Sequence, residues 1–375
     1  MPGIYFHIPF CKQACHYCDF HFSTDRRGHE EMVTAMVHEL ELQQSFLSGP
    51  VETVYFGGGT PSILTSNQLG KVIETARSRF DILPDAEITL EANPDDLSRN
   101  KLQELRHLGV NRLSIGIQSF RNEVLAFLHR AHNAESAIRC LDESREAGFS
   151  NISLDLIYGI PGLGLSEWEA TLQEALRFQP AHLSMYALTI EERTVFGNWA
   201  KRRKLIPTEE ETVARQFELM QDVLEGAGYD HYEISNFCLP CRHSRHNSSY
   251  WLQQGYLGIG PSAHSYDGAR RYSNISNNAR YVKAIGQDQI PAETELLSRE
   301  NKINEYILTR LRTRWGCDLD WLRRELQDDL LMRHGERIAK YMDMGLLTIQ
   351  DNVLQLSRKG RLLADQITED LLYLA

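Results

Sequence analysis

Tyr5-Phe-His-Ile-Pro-Phe-Cys11-Lys-Gln-Ala-Cys15-His-Tyr-Cys18 is the stretch on which the reading of this chain turns. A short apolar run, residues 4–8, leads into three cysteines spaced C-x3-C-x2-C. A structural zinc site takes four ligands and usually closes them with C-x2-C pairs, so this loop is a ligand short. A cubane 4Fe-4S cluster normally takes four thiolates, and three leave one iron open to an outside ligand. An open iron beside a glycine-rich strand end is what S-adenosylmethionine requires. Its amino and carboxylate groups chelate the iron, and its sulfonium then lies beside an electron donor that can break a carbon–sulfur bond. Tyr17, inside the motif, can shield a cluster from water. A zinc clip or a chance group of cysteines is the competing reading, and the spacing argues against both.

Downstream, short β-branched runs alternate with amphipathic helical stretches, the pattern of parallel βα units. The strand candidates are 4–8, 52–56, 87–91, 112–117, 151–157 and 182–187. Helical patterns cover 29–47, 66–80, 98–108, 134–147 and 166–178. The expected fold is α/β, a partial TIM-type (β/α)6 barrel. Each strand candidate ends in unusual residues: the cysteines, then Gly57-Gly-Gly-Thr-Pro61, Glu91-Ala-Asn-Pro94 and Gln118-Ser-Phe120. Asp155 with Gly159-Ile-Pro-Gly162, and Tyr186, complete the series. Parallel barrels place their sites on that rim. A strand-end Glu is usually a solvated or capping group, but six consecutive strands with such ends point to one site.

Glycines at a strand end permit close backbone approach to a ligand, here the ammonium of the nucleoside's methionine part. The phosphate-loop pattern G-x4-G-K-[ST] is absent. By position, Glu91 can accept from an ammonium or a ribose hydroxyl, and Arg130 can pair with a carboxylate. Gln118 and Asp155 offer partners for hydroxyls.

The βα rhythm stops near residue 191. Lys201-Arg-Arg-Lys204 reads as a solvated helix end, followed by a helix over 209–227 and a strand over 232–234. Cys238-Leu-Pro-Cys241-Arg-His243-Ser-Arg-His246 is too tight for the usual zinc-finger spacing. His246, beside Tyr250 and Trp251, reads either as a structural loop histidine or as an axial heme ligand on an apolar face. Residues 258–264 are expected to be a loop closing over the site. Helical patterns at 301–314, 320–326 and 333–344 then precede two short strands around Asp351-Asn352 and a final helix from 357. That arrangement is winged-helix-like. The expected domains are 1–230 (barrel), 231–294 (connecting segment) and 295–375 (the small C-terminal domain).

Composition sets the outer limits. The chain has 375 residues and a net charge of 40 − 51 = −11, which disfavours nucleic acid or an anionic membrane as a main partner. Residues 301–375 hold 12 basic and 12 acidic residues, so the wing has no basic face for DNA. Seven cysteines without a secretion signal do not read as a disulfide framework. Cys140 and Cys317 are expected to be small buried hydrophobes. No apolar run is long enough for a membrane span, and a cytoplasmic location is expected.

The motifs Tyr5-x-His-Ile-Pro-Phe-Cys11-x3-Cys15-x-Tyr-Cys18, Gly57–Pro61, Glu91–Pro94, Ile115-Gly-Ile-Gln-Ser119 and Asp155-Leu-Ile-x-Gly-x-Pro-Gly162 together resemble one branch of the radical S-adenosylmethionine proteins. That branch is related to oxygen-independent coproporphyrinogen III dehydrogenase. The chain has Phe20 where the dehydrogenase motif carries a further cysteine, and only four residues precede Tyr5 where the dehydrogenase has a long extension. With His246-Asn-x-x-Tyr-Trp251, these features resemble the HemW family of heme chaperones. The resemblance implies a cluster on Cys11, Cys15 and Cys18, S-adenosylmethionine on its open iron, and one heme passed to apo-hemoproteins, respiratory cytochromes especially. It is compatible with a homodimer. By the same resemblance Tyr5, Tyr17, Gly58, Gly59, Thr60, Glu91, Gln118, Arg130 and Asp155 match nucleoside-contacting positions, and His246 matches the heme-associated motif. The alternative is the dehydrogenase reaction itself, oxidative decarboxylation of two propionates to vinyl groups.

Overall fold

Runs such as Ile88-Thr-Leu90 and Leu113-Ser-Ile115 alternate a large apolar residue with a polar one, and that period of two builds a sheet with two different faces. In the computed structural model, which describes residues 2–25 and 27–373, six strands form in the expected places. They are β1 (Gly3–Ile8), β2 (Val51–Gly58), β3 (Ile82–Ala92), β4 (Arg112–Gln118), β5 (Asn151–Tyr158) and β6 (His182–Ala187). Each pairs in parallel with the one before it. The crossover helices include His29–Leu42, Ser66–Arg79, Arg99–His107, Ala134–Glu146 and Leu165–Arg177. Thr65, Ser98 and Asn133 cap three of them by accepting a backbone N–H, the usual stabilisation of a helix start. Ile4, Phe6, Ile8, Leu113 and Leu154 face these helices in one continuous core.

The sheet extends further than the βα rhythm indicates. β7 (Asp230–Glu233) and β8 (Asn236–Cys238) continue it antiparallel beyond β6. On the other side β9 (Tyr256–Ile259) lies parallel to β1, and β10 (His264–Tyr266), β11 (Arg270–Asn274) and β12 (Ala292–Leu296) follow antiparallel. The expected loop over 258–264 is therefore a strand end, a turn and the start of another strand. Gly258 has to be glycine there, because a Cβ would lie 2.0 Å from the His264 carbonyl oxygen. Strands of three to five residues are too short for alternation to be visible in sequence.

A second apolar core lies in the C-terminal part. Helices Arg299–Leu311, Leu319–Glu325 and Leu330–Asp343 pack with the hairpin β14 (Leu347–Gln350) and β15 (Val353–Leu356). β13 (Cys317–Asp318) adds a third strand beside β15. Asp351 and Asn352 both take positive φ, at 51° and 62°, the signature of a two-residue hairpin turn matched to strand twist. The expected final helix is a short 3-10 turn, Gly360–Leu363, running into helix Ala364–Glu369. Cys140 and Cys317 are buried among apolar side chains.

One buried carboxylate ties the β9–β11 extension to the barrel. Glu39, fully buried on helix His29–Leu42, accepts from Gly260 N and Asn274 Nδ2, both at 2.8 Å, and from the Tyr281 hydroxyl. Asn274 Nδ2 keeps the Gly260 carbonyl at 2.9 Å, but Glu39→Ala should leave the Gly260 N–H and the Tyr281 hydroxyl buried without this acceptor and lower the unfolding free energy by about 3 kcal/mol. Urea denaturation of the two proteins checks this; an unchanged midpoint would mean that the extension is held by other contacts.

Candidate functional site

The cysteine loop leaves the C-terminal end of β1 and is pinned by its own backbone. Cys11 N donates to Ser23 O at 3.0 Å, Ser23 N to Pro9 O at 2.9 Å, and His16 N to Leu128 O at 3.2 Å. Lys12 pairs with Asp95 at 2.9 Å and with Asp96, which fixes the loop to the end of β3. All three cysteines are free of disulfides; Cys11 is buried, and Cys15 and Cys18 are half-buried. Two donors already address their sulfurs: the Thr60 hydroxyl approaches Cys11 Sγ at 3.3 Å, and Arg130 Nη1 approaches Cys15 Sγ at 3.4 Å.

Arg130 organises this corner. Its Nη1 also lies 3.4 Å from the Tyr17 hydroxyl, and its Nη2 donates to Gly116 O at 2.8 Å and to Asn93 Oδ1. Gly116 admits it, because a Cβ there would stand 3.1 Å from Nη2. Gln118, which ends β4, takes a left-handed φ of 64°. A non-glycine residue in that region is uncommon and is found preferentially at functional sites.

The glycines of β2 serve the protein first. A Cβ on Gly58 would meet the His7 ring at 2.8 Å, and one on Gly59 would meet Phe10 O at 2.7 Å. Close approach is thus required to lay the end of β2 against β1 and the cysteine loop. That packing role comes in addition to the expected approach of a ligand to their backbone, which remains on the rim. Glu91 accepts from Tyr55 Oη at 2.7 Å. Burial pushes its carboxyl up to about 7, with the charge of Asp155 adding to the effect. Asp155 receives the Ser114 hydroxyl at 3.2 Å, and burial pushes it up to about 6. Tyr5 stands between Tyr55 and His7, with its hydroxyl 3.2 Å from His7 Nδ1.

The inner face of the sheet is polar well below this rim. Arg112, 1% exposed, stands at the start of β4. Its Nε and Nη1 have no hydrogen-bond partner among the described residues, and its charge acts on both Glu91 and Asp155. Sequence reasoning passed over Arg112. The available signal was Arg112-x-Ser114-x-Gly116-x-Gln118, polar or glycine at alternate positions of a strand whose other side is apolar. The interior of a TIM barrel is ordinarily filled by branched side chains, so a polar inner face marks a lumen that has work beyond packing.

His246 closes the far end of that lumen. It is fully buried on helix Arg245–Trp251, with Nδ1 hydrogen-bonded to Thr53 Oγ1 and Nε2 to the Tyr250 hydroxyl, both at 2.8 Å. Its ring stacks on Tyr55 with centroids 4.9 Å apart. Burial and then Arg112 hold its pKa down at about 3. Of the two readings of His246, this geometry favours the structural one: both ring nitrogens are committed inside the fold, and ligation would break a buried hydrogen bond. No zinc site forms around it either. Cys238 is buried, Cys241 is exposed, and no three His, Cys, Asp or Glu side chains converge on a single-ion site among the described residues.

The cysteine corner, by contrast, fits an iron–sulfur cluster. It offers three thiols, two hydrogen-bond donors aimed at sulfur, and an Arg130 Nε with no partner among the described residues. Without metal, burial raises the Cys11 thiol to about 12 and raises Cys18 as well. A thiolate-binding metal group therefore has to displace those protons, which couples loading to pH.

Comparison with known proteins places this arrangement. Residues 5–175 match the Radical SAM superfamily, and residues 297–363 match the HemN C-terminal domain. The chain is 33% identical over 369 residues to "Heme chaperone HemW" of Lactococcus lactis, covering 98% of this chain and 96% of that one. It is 33% identical over 371 residues to the protein of the same name from Bacillus subtilis, covering 98% of each. Among solved structures, coproporphyrinogen III oxidase (HemN) from Escherichia coli superposes with a TM-score of 0.84 at 24% identity, covering 99% of this chain and 90% of that one. At that identity the likeness is one of fold.

The buried carboxyls give a testable pH dependence. Glu39 and Glu91 stand at about 7 and Asp155 at about 6, against ordinary values of 4.5, 4.5 and 3.8. A folded pKa above the unfolded one contributes stability that is fully present below the unfolded value and lost as pH rises through the folded one. Buried histidines, His246 at about 3 among them, have the opposite pH dependence, so the share of one carboxyl is read as a difference: the Tm of the cofactor-free wild type minus that of Asp155→Asn should fall between about pH 4 and pH 6. A difference that grows over that interval would contradict it.

Proposed function

The chain belongs to the HemW family within the radical SAM superfamily, and we propose that it is a heme chaperone. In this reading it binds a 4Fe-4S cluster, S-adenosylmethionine and heme, and passes heme to apo-hemoproteins such as respiratory cytochromes in the cytoplasm. The observation that carries this reading is likeness to named heme chaperones along 98% of the chain. No helix among the described residues is long and apolar enough to cross a membrane.

Cys11, Cys15 and Cys18 would hold the cluster, leaving one iron for the nucleoside. When bound, the pair supplies one-electron chemistry at the sulfonium. The protein's own residues bind and orient. Thr60 and Arg130 donate to the sulfurs and lower the cost of placing negative charge there. Gly58, Gly59, Glu91, Gln118 and Asp155 offer polar groups to the nucleoside around the rim. Glu91, poised near neutrality, can hold a proton or release it in favour of an ammonium. Tyr5 and Tyr17 present aromatic surface that excludes water, and buried Arg112 balances the two carboxyls from beneath.

The dehydrogenase reading shares this machinery and this fold. It lacks a specific observation in its favour, and Phe20, 72% exposed, stands where that enzyme's motif has a further cysteine. Anaerobically reconstituted protein, given hemin and coproporphyrinogen III separately with reductant and S-adenosylmethionine, distinguishes the two. Stoichiometric heme binding without turnover is expected. Catalytic formation of protoporphyrinogen would overturn the chaperone reading. In the same preparation Cys15→Ala should lose the cluster, because two thiolates do not hold a cubane against exchange. Full iron and sulfide content in that variant would remove these cysteines as its ligands.

A further inference from the structure

A cavity of about 520 Å³ opens between β1 and the antiparallel extension, beside the cysteine loop. That volume is in the range of cofactor sites. Phe20, Tyr250, Trp251, Tyr256 and Tyr266 give it a largely aromatic wall. Phe20 lies two residues beyond Cys18, and its exposed ring is the kind of surface that a flat apolar ligand covers.

The pairing of β10 with β11 decides what faces this space. His264 lies opposite Ser273, and Tyr266 lies opposite Arg271. Positions two apart share a face of the sheet, and His264, Tyr266 and Arg271 all line the cavity. Ser273 Oγ lies 2.9 Å from His264 Nδ1, while Nε2 has no partner among the described residues. Arg271 spends one N–H on Glu305 at 2.9 Å, and a guanidinium has further donors for a second carboxylate.

We infer that this cavity is the heme site and that His264 Nε2 is the axial ligand, with Arg271 receiving a propionate. The inference rests on the heme-carrier reading above and moves ligation away from His246. Competing histidines in the same cavity are less suited. His7 has both ring nitrogens engaged, by the Tyr5 hydroxyl at 3.2 Å and by His21 O at 2.9 Å. His21 has its outer nitrogen bonded to Asn278 Oδ1 at 2.8 Å. Its Nδ1 sits next to its own Cβ, where a macrocycle would collide with the backbone. His264 shows the opposite polarity: the inner nitrogen is anchored and the outer one is free. On ligation Nδ1–H donates to Ser273 Oγ, the outer-sphere contact that orients a metal-bound imidazole. Burial and the charge of Arg271 both hold His264 below its ordinary pKa, which favours the neutral ring that iron needs.

The test is a hemin titration of the full, cluster-loaded chain followed by absorption and magnetic circular dichroism. His264→Ala should weaken binding by at least the roughly 10-fold that loss of a ligand's orienting partner alone causes. It should also change the axial-ligand spectrum and leave iron and sulfide content intact. Added imidazole should restore the spectrum. His264→Gln, which can keep a contact to Ser273, should behave like the Ala variant and guards against a folding defect. Wild-type affinity and spectrum in folded His264→Ala, or loss confined to His21→Ala, would overturn the assignment while leaving the carrier reading standing. Failure of the wild-type chain to bind hemin at all would overturn both.

Discussion

Three thiols on one short loop could not by themselves saturate a cubane cluster, and much of the surrounding structure holds those three side chains in place. The loop has little internal regularity, so its position comes from neighbours. Ser23 and Leu128 take its backbone hydrogen bonds, Lys12 ties it to Asp95 and Asp96, and Gly58 and Gly59 let β2 close against it. Arg130 joins the loop to the sheet by contacting Cys15, Tyr17 and the Gly116 carbonyl from one guanidinium. A three-sulfur corner with donors aimed at two of its sulfurs suits an anionic metal group.

The second constraint is a polar interior. Glu91, Asp155, Arg112 and His182 lie within one sheet and His246 packs beside it from helix Arg245–Trp251, where desolvation disfavours every charge. Hydrogen bonds answer most of it. His182 is held between Ser153 and Tyr232, and His246 between Thr53 and Tyr250. The histidines are kept neutral and structural, the carboxyls are poised near neutrality, and Arg112 keeps N–H groups without a partner among the described residues. Such an interior is less stable than an apolar one would be, the usual mark of a region kept for binding.

Much of this was legible in the sequence, and the omissions have physical causes. β1 to β6 announce themselves because each is long enough to alternate and ends in a distinctive residue, and the cysteine spacing marks the corner proposed to hold the cluster. β9 to β11 carry three to five residues each and follow a long excursion, so Gly258 and His264 read as loop. His246 reads in sequence as either a ligand or a structural histidine because its neighbours are aromatic, whereas its partner Thr53 lies 193 residues away. Arg112 was missed because an arginine at a strand start is normally solvated. Only the closed sheet shows that it is buried. His264 acquires meaning through its register opposite Ser273, a pairing that local pattern does not reveal.

The cluster and nucleoside assignments presuppose an iron left vacant by the protein and filled by the nucleoside. Mössbauer spectroscopy on chain reconstituted with isotopically enriched iron, before and after addition of S-adenosylmethionine, observes that vacancy directly. A cubane in which one iron changes its parameters when the nucleoside is added is the predicted result. A single zinc ion in its place, or a cluster whose irons do not respond to the nucleoside, would contradict the account at its foundation.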